Sequence, residues 1–459
     1  MKQRTMALLL AAALTLSLLG TAALAAAEDT SAPAQQAEEL QPQEAGDASV
    51  PEEDPDAPEA DADGAEAGTP EEGESQEDGE EPPVEEYIPD PAGVVTFQNL
   101  DRRMRESNLQ ILSIQESVDM LEELDYDKMK EDLRVQLNEL AQAQWMMVLM
   151  GQSGTLAYEH MDQAYAAVRE QFDAIKDGDM QADNADTIRQ LQNLQNQIVM
   201  AGEATYIALA AMENQEAGLE RQLAALDRTL EELQLRYELG HISSLTLKEA
   251  QAGRSSLNSG IATLRMNLNT YKGQLELLIG AEITGGLSMG PLPAVTQEEL
   301  DSMDLEQDLE KAKENSWNLY EATETMKDER KKYTDKGGDA ATESQKKTTS
   351  YKQTKHTWMA AKYTYDNTVQ NFELGLRNLY LKVQDYRQVL SAARTSLAVK
   401  QDSYAAAQLK YQQGAISANT LLEAEDDVKA AQETVAGAEN DLFSAYNTYR
   451  WAVDYGIMN

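Results

Sequence analysis

Tyr237-Glu238-Leu239-Gly240-His241-Ile242-Ser243 and Tyr411-Gln412-Gln413-Gly414-Ala415-Ile416-Ser417 stand at an offset of 174 residues. The likeness continues past both stretches. Leu247, Ala250, Leu257, Ile261, Leu264 and Leu268 align at that offset with Leu421, Ala424, Ala431, Val435, Ala438 and Leu442. Arg254 against Val428 breaks the pattern. A heptad that repeats in register at a fixed offset marks two tandem copies of one helical unit. Within each copy the quoted stretch reads as a tight turn between two helices. Gly240 and Gly414 sit where a helix end favours a left-handed residue. Ser243 and Ser417 are placed to cap the next helix. Thr246 and Thr420 occupy the position where Glu would complete a capping box.

Working outward, Leu219, Leu223, Leu226, Leu230, Leu233 and Tyr237 alternate steps of four and three, the 3.5-residue period of helices that pack along a seam. Only Pro291 and Pro293 interrupt residues 94–459, so long helices are permitted. The longest are expected at about 186–238 and 356–412, each ~80 Å at 1.5 Å per residue. The expected fold is all-α: long antiparallel helices in two tandem repeats forming coiled-coil-like hairpins. The first repeat covers 94–284, a linker 285–297, and the second repeat 298–459.

Ahead of this body, Lys2 and Arg4 precede an uncharged run from Met6 to Ala27 that ends in small residues. Residues 1–27 read as a secretory signal peptide, with an uncleaved membrane anchor as the alternative; either exports the chain. Residues 28–93 hold 24 acids, no Lys or Arg, and 10 of the 12 prolines. That composition offers little to bury, so a disordered acidic tether is expected.

The 459 residues carry 38 basic and 81 acidic side chains, a net charge of −43. A nucleic-acid partner is excluded by that sign. Without Cys there is no disulfide and no thiolate site. His160, His241 and His356 lie far apart with no ligand spacing, so no metal or cofactor is expected. No nucleophile motif accompanies them, and the chain does not read as an enzyme. Glu231-Glu232 and Asp426-Asp427 are consecutive, point apart on a helix, and read as solvated faces. Trp145-Met146-Met147-Val148-Leu149-Met150 lies beside the turn Gly151-Gln152-Ser153-Gly154. It reads as hairpin core, with a membrane-touching or adaptable binding tip as the other possibility. The tyrosines from Tyr351 to Tyr386 read as interface packing.

The doubled Tyr-x-x-Gly-x-Ile-Ser turn with its Leu/Ala heptad resembles the TolC-like outer-membrane efflux protein family. Arg236-Tyr237-Glu238-Leu239-Gly240 and Lys410-Tyr411-Gln412-Gln413-Gly414 look like that family's two helix tips. Leu275-Glu276-Leu277-Leu278-Ile279-Gly280 resembles its repeat ending. Glu106-Ser107-Asn108-Leu109 and Glu314-Asn315-Ser316 look like the start of each copy, without the usual proline. The resemblance implies a trimeric α-helical barrel that continues into an outer-membrane β-barrel. It also implies a homotrimer working with a periplasmic-adaptor-type protein and a membrane pump, in the cell envelope.

This sequence departs from the family where strands belong. Residues 125–185 read as helix and 328–355 as a polar turn region, and neither alternates as a membrane strand does. The β-barrel is therefore expected to be missing, with a helical hairpin as its replacement. The expected role is an exported helical conduit or scaffold of an efflux or export system. The alternative is a non-conducting coiled-coil protein of the envelope. On the conduit reading a partner is read at Arg236, Tyr237, Leu239, Gly240 and Ser243, with Lys410, Tyr411, Gly414 and Ser417.

Overall fold

The computed structural model describes residues 90, 91 and 93–458. The expected signal segment and most of the expected tether lie outside the described residues. Asp90, placed in the tether by composition, belongs to the folded body. Its carboxylate accepts from the Thr96 hydroxyl (2.6 Å) and Asn99 Nδ2 (2.8 Å), and pairs with Arg103 at 3.2 Å.

Both copies begin with a broken helix. In the first, α1 (Phe97–Ser107) gives way to α2 (Leu109–Glu122) at Asn108. The Asn108 side chain accepts from the N–H groups of Gln110 and Ile111, which caps α2 where α1 stops. An inserted hairpin follows, α3 (Tyr126–Leu149) and α4 (Leu156–Asp177). Gly178, at φ 87°, then admits the 60-residue α5 (Asp179–Glu238), which turns into α6 (Ser244–Leu278).

The second copy runs α7 (Gln297–Asp301), α8 (Leu305–Asn315) and α9 (Trp317–Asp335). A single 3-10 turn at Gly338–Ala340 and α10 (Glu343–Lys346) lead to the 64-residue α11 (Thr349–Gln412) and to α12 (Ala418–Tyr455). Ser316 caps α9 at the break, the counterpart of Asn108. The two long helices extend ~90 and ~96 Å. Each starts seven residues earlier than the heptad reading placed it.

Each copy closes on its own break. Asn108 Nδ2 donates to the Leu278 carbonyl at 2.8 Å, and Asn315 Nδ2 to the Val453 carbonyl at 3.2 Å. Gly280 and Gly456 make room for this. A Cβ on Gly280 would lie 2.6 Å from the Ser107 carbonyl oxygen, and one on Gly456 would lie 2.3 Å from Ser316 Cα.

The first core gathers Leu100, Met104, Ile198, Val199, Leu268 and Leu275. The second gathers Leu319, Leu376, Val383, Leu390, Leu442 and Val453. The copies meet along α5 and α12. Arg221 grips Glu433 through two bonds of 2.8 and 3.0 Å, Arg228 pairs with Asp426, and Asn419 Nδ2 donates to Glu232 at 3.3 Å. Residue numbers rise along α5 as they fall along α12, so these helices are antiparallel. Deeper in the seam, the buried Glu203 carboxylate accepts from Trp451 Nε1 (2.6 Å) and Asn447 Nδ2 (2.8 Å). Asp426 is therefore an inter-copy ion partner rather than a solvated acid, while Asp427 faces elsewhere and pairs with Lys400 at 2.7 Å.

The ion pairs within each hairpin explain the Arg254 break. Arg254 reaches back across the turn to Asp227, and Arg265 to Glu220. At the 174-residue offset Arg265 and Glu220 correspond to Glu439 and Arg394, which pair at 2.8 Å. Arg254 and Asp227 correspond to Val428 and Gln401, and the nearby pair, Lys400 with Asp427, stands one residue out of that register. One pair thus recurs in register with its signs exchanged, and the other recurs exchanged but one residue away.

Two strands of two residues each, β1 (Val94–Val95) and β2 (Ser288–Met289), pair in parallel and tie the linker to the start of the body. The Tyr206 hydroxyl lies 3.0 Å from the Val95 carbonyl and 2.7 Å from that of Gly290, clamping both. Pairs this short carry no alternation to read in a sequence. Where the family resemblance would place membrane strands, copy one has the α3–α4 helical hairpin, the helix expected there, and copy two has the end of α9, the 3-10 turn, α10 and the start of α11.

The tyrosines of α11 divide. Tyr351 is buried, 2.9 Å from the Tyr333 hydroxyl, and Tyr380 packs on Tyr449, whereas Tyr363 is 63% exposed. The expectation that the Met-rich run is hairpin core is overturned. Trp145, Leu149 and Met150 are each more than 60% exposed.

Candidate functional site

The sequence motifs converge on the two turns. In the first, the Gly240 N–H donates to Tyr237 O (2.9 Å) and the His241 N–H to Arg236 O (2.8 Å). In the second, Gly414 donates to Tyr411 O (2.9 Å) and Ala415 to Lys410 O (2.8 Å). This is the Schellman closure, which needs a left-handed residue. Gly240 and Gly414 supply it at φ 75° and 71°. Two residues on, Ser243 Oγ accepts from Thr246 N and Ser417 Oγ from Thr420 N, both at 3.2 Å. Thr stands where Glu would complete the box, and its hydroxyl pairs instead with the capping Ser hydroxyl, at 3.1 and 3.0 Å.

The antiparallel seam of α5 and α12 puts both turns at the same end of the body. Asn419, two residues past the second cap, bonds Glu232, which also holds Arg236. All nine residues singled out from the sequence are thus brought to one end. Their surface character differs. Tyr237 and Tyr411 are 42% and 44% exposed and Leu239 is 60% exposed. Leu235, Leu245 and Leu409, which the motif reading did not include, are exposed beside them. Gly240 and Gly414 face open space: a Cβ on either would meet no atom within 4 Å. Sequence reasoning passed over the three leucines because they lie outside both the heptad positions and the doubled turn motif.

The surface is therefore an apolar and aromatic cap, rimmed by Arg236 and Lys410, on the ends of two stiff hairpins. Among the described residues no group of three or more His, Asp and Glu side chains is placed to hold a metal ion. Among them, too, no helix is long and apolar enough to cross a membrane.

No family model matches the sequence, and no curated protein matches it. Solved structures do. The chain is similar to the outer-membrane channel OprN at 14% identity, over 78% of this chain and 90% of that one, with a TM-score of 0.48. It is similar to CusC, described for its folding and transmembrane channel formation, at 15% identity over 78% and 96%, with a TM-score of 0.45. It is similar to the open state of the MtrE outer membrane channel of Neisseria gonorrhoeae at 13% identity over 79% and 89%, with a TM-score of 0.41.

Proposed function

We propose that this protein is an exported helical conduit or scaffold component of an efflux or export system in the cell envelope. It carries out no chemistry and docks an adaptor-type protein on its paired turns. The observation that carries the reading is the juxtaposition of two identically closed turns at the ends of ~90 Å helices, with apolar side chains left bare between basic ones. Hairpin ends in a bundle are the one place where neighbouring helices cannot cover side chains. The turn glycines accommodate a close approach by a partner's backbone, since nothing stands above them.

The test separates contact from closure. Tyr237→Ala, Leu239→Ala and Arg236→Glu should each leave the melting temperature nearly unchanged and abolish adaptor binding and export. Gly240→Val should damage both, because a β-branched residue is strained at positive φ. Variants that melt lower yet bind and export normally would reduce the turns to structure.

A homotrimer is part of the same proposal. On α11, Tyr363, Leu374, Leu381 and Val399 are exposed and fall within about 20° of one another around a helix of 3.6 residues per turn. On α6, Met266 and Leu277 line an open groove with Ile283. A lone protomer leaves both stripes in water, and ring closure would bury them against each other.

A further inference from the structure

We propose that the tip of the α3–α4 hairpin inserts into the interfacial layer of a lipid bilayer. This inference rests on the hairpin alone and does not depend on the conduit reading.

The place is defined by the fold. The Tyr126 hydroxyl accepts from Asn184 Nδ2 at 2.8 Å, so the hairpin is rooted near the start of α5, about 80 Å along that helix from the Gly240 turn. From its base α3 runs 24 residues, ~36 Å, to the tip. The tip is bare: Trp145, Met146, Leu149 and Met150 are 62%, 51%, 62% and 66% exposed, and Leu156 across the turn is 73% exposed.

Three observations favour lipid over a protein surface. First, charge is missing. From Leu140 to Tyr158, 19 consecutive residues carry none, in a chain of which 26% is charged. A protein interface of this size would offer a rim of charged or Arg side chains, whereas hydrocarbon rejects them. Second, the turn satisfies much of its own backbone. The N–H groups of Met150, Gly151, Gln152 and Thr155 donate to Met146, Val148, Met147 and Gln152 carbonyls, and the Thr155 hydroxyl caps Tyr158 N. Backbone groups closed in this way enter an apolar layer without the cost of unmet hydrogen bonds. Third, the side chains are ordered by depth. Leu149, Met150 and Leu156 lie at the turn, with Trp145 one helical turn behind, where an indole suits the headgroup level. Acids outnumber bases along the hairpin. The attraction is therefore apolar, and anionic lipid should add nothing.

The absence of Cys from the whole chain makes the test clean. A single Gln152→Cys substitution in the full chain carries an environment-sensitive nitrobenzoxadiazole label. A His241→Cys chain labelled at the opposite end is the control. With vesicles of zwitterionic phosphatidylcholine, the label at position 152 should brighten, shift to the blue and be quenched by spin-labelled lipid, at high and low salt alike. The label at 241 should not respond. Because Met6–Ala27 is itself apolar, the response of each label is read, not retention of the chain on vesicles. Leu149→Glu combined with Met150→Glu should weaken the response at 152 at least tenfold in lipid concentration, with helicity and melting unchanged, since both side chains are already in water. A silent label at 152, an equal response at 241, or a response that survives the double glutamate variant would each overturn the proposal.

Discussion

Glu203 shows how one side chain joins two copies at a cost. Burial pushes its carboxyl up from the ordinary value of 4.5, against the opposing pull of hydrogen bonds from Trp451 and Asn447; Asp101 adds to the rise and Arg105 offsets it. A raised folded pKa means that the folded chain holds this proton more tightly than the unfolded one. The contribution to stability is therefore complete below the unfolded value and is lost as pH climbs through the folded value. Glu203→Gln keeps an oxygen for the indole and removes the ionisation. Its melting temperature should gain on that of the wild type as pH rises above 4.5, measured by thermal unfolding across the range. Parallel curves would exclude Glu203 as the source. Glu203→Ala, which strands the buried indole N–H, should cost ~1–3 kcal/mol. Glu276 behaves oppositely. Burial also acts to raise it, but bonds from Gly285 N and the Thr284 hydroxyl and N–H outweigh burial and hold it below its ordinary value. It is a clamp on the loop after α6 that weakens only in acid.

Glycines separate two kinds of turn at the scale of elements. Gly240 is needed for its backbone angle alone, so Gly240→Ala should cost ~1 kcal/mol, the strain of a left-handed Ala. Gly456 is needed for its angle, φ 63°, and for space, since its Cβ would collide with the Ser316 backbone. Gly456→Ala should therefore destabilise by ~3 kcal/mol or more, as overpacking is added to strain. Chemical denaturation of the two variants decides it, and equal losses would contradict the close packing of α12 on the α8–α9 break. The first glycine was legible in the sequence together with Gly414, Ser243 and Ser417, because cap chemistry is local and the doubled motif set it in register. So was the helical nature of the body, from its period and its sparse prolines. The role of Gly456 was not, because its partner is 140 residues earlier in the chain. Tyr206, which clamps β1 to β2, was hidden for the same reason. The Met-rich run failed differently: an apolar stretch announces that it prefers burial and says nothing of whether a neighbour is wide enough to supply it. Of the turns, the sequence disclosed the closure, the flanking aromatics and Leu239, but not the bare Leu235, Leu245 and Leu409.

For the whole molecule, the exposed stripes on α6 and α11 predict association. Light scattering on the body at tens of micromolar should give the mass of a trimer, and a monomer at that concentration would count against ring closure. The acidic segment should matter less to folding than its length suggests, provided the cut spares Asp90. Deleting residues 28–89 should leave the melting temperature unchanged, while Asp90→Ala should lower stability by ~1–3 kcal/mol through the donors it strands. A loss on deletion equal to that of Asp90→Ala would mean that the acidic stretch packs. The sign-reversed ion pairs of the two hairpins carry a further consequence, one of identity. Helix α5 presents Glu220 and Asp227 to its own return helix, while its counterpart α11 presents Arg394 and Lys400. If α5 and α11 traded partners, Glu220 would confront Glu439 and Arg394 would confront Arg265. Each exchange turns a weak attraction of ~0.5 kcal/mol into a repulsion of similar size. A chain built by duplicating either half would keep every heptad, and within each duplicate the correct signs would survive. What the reversal forbids is barter between halves, so that an unfolded hairpin meeting a foreign one is steered back to its own.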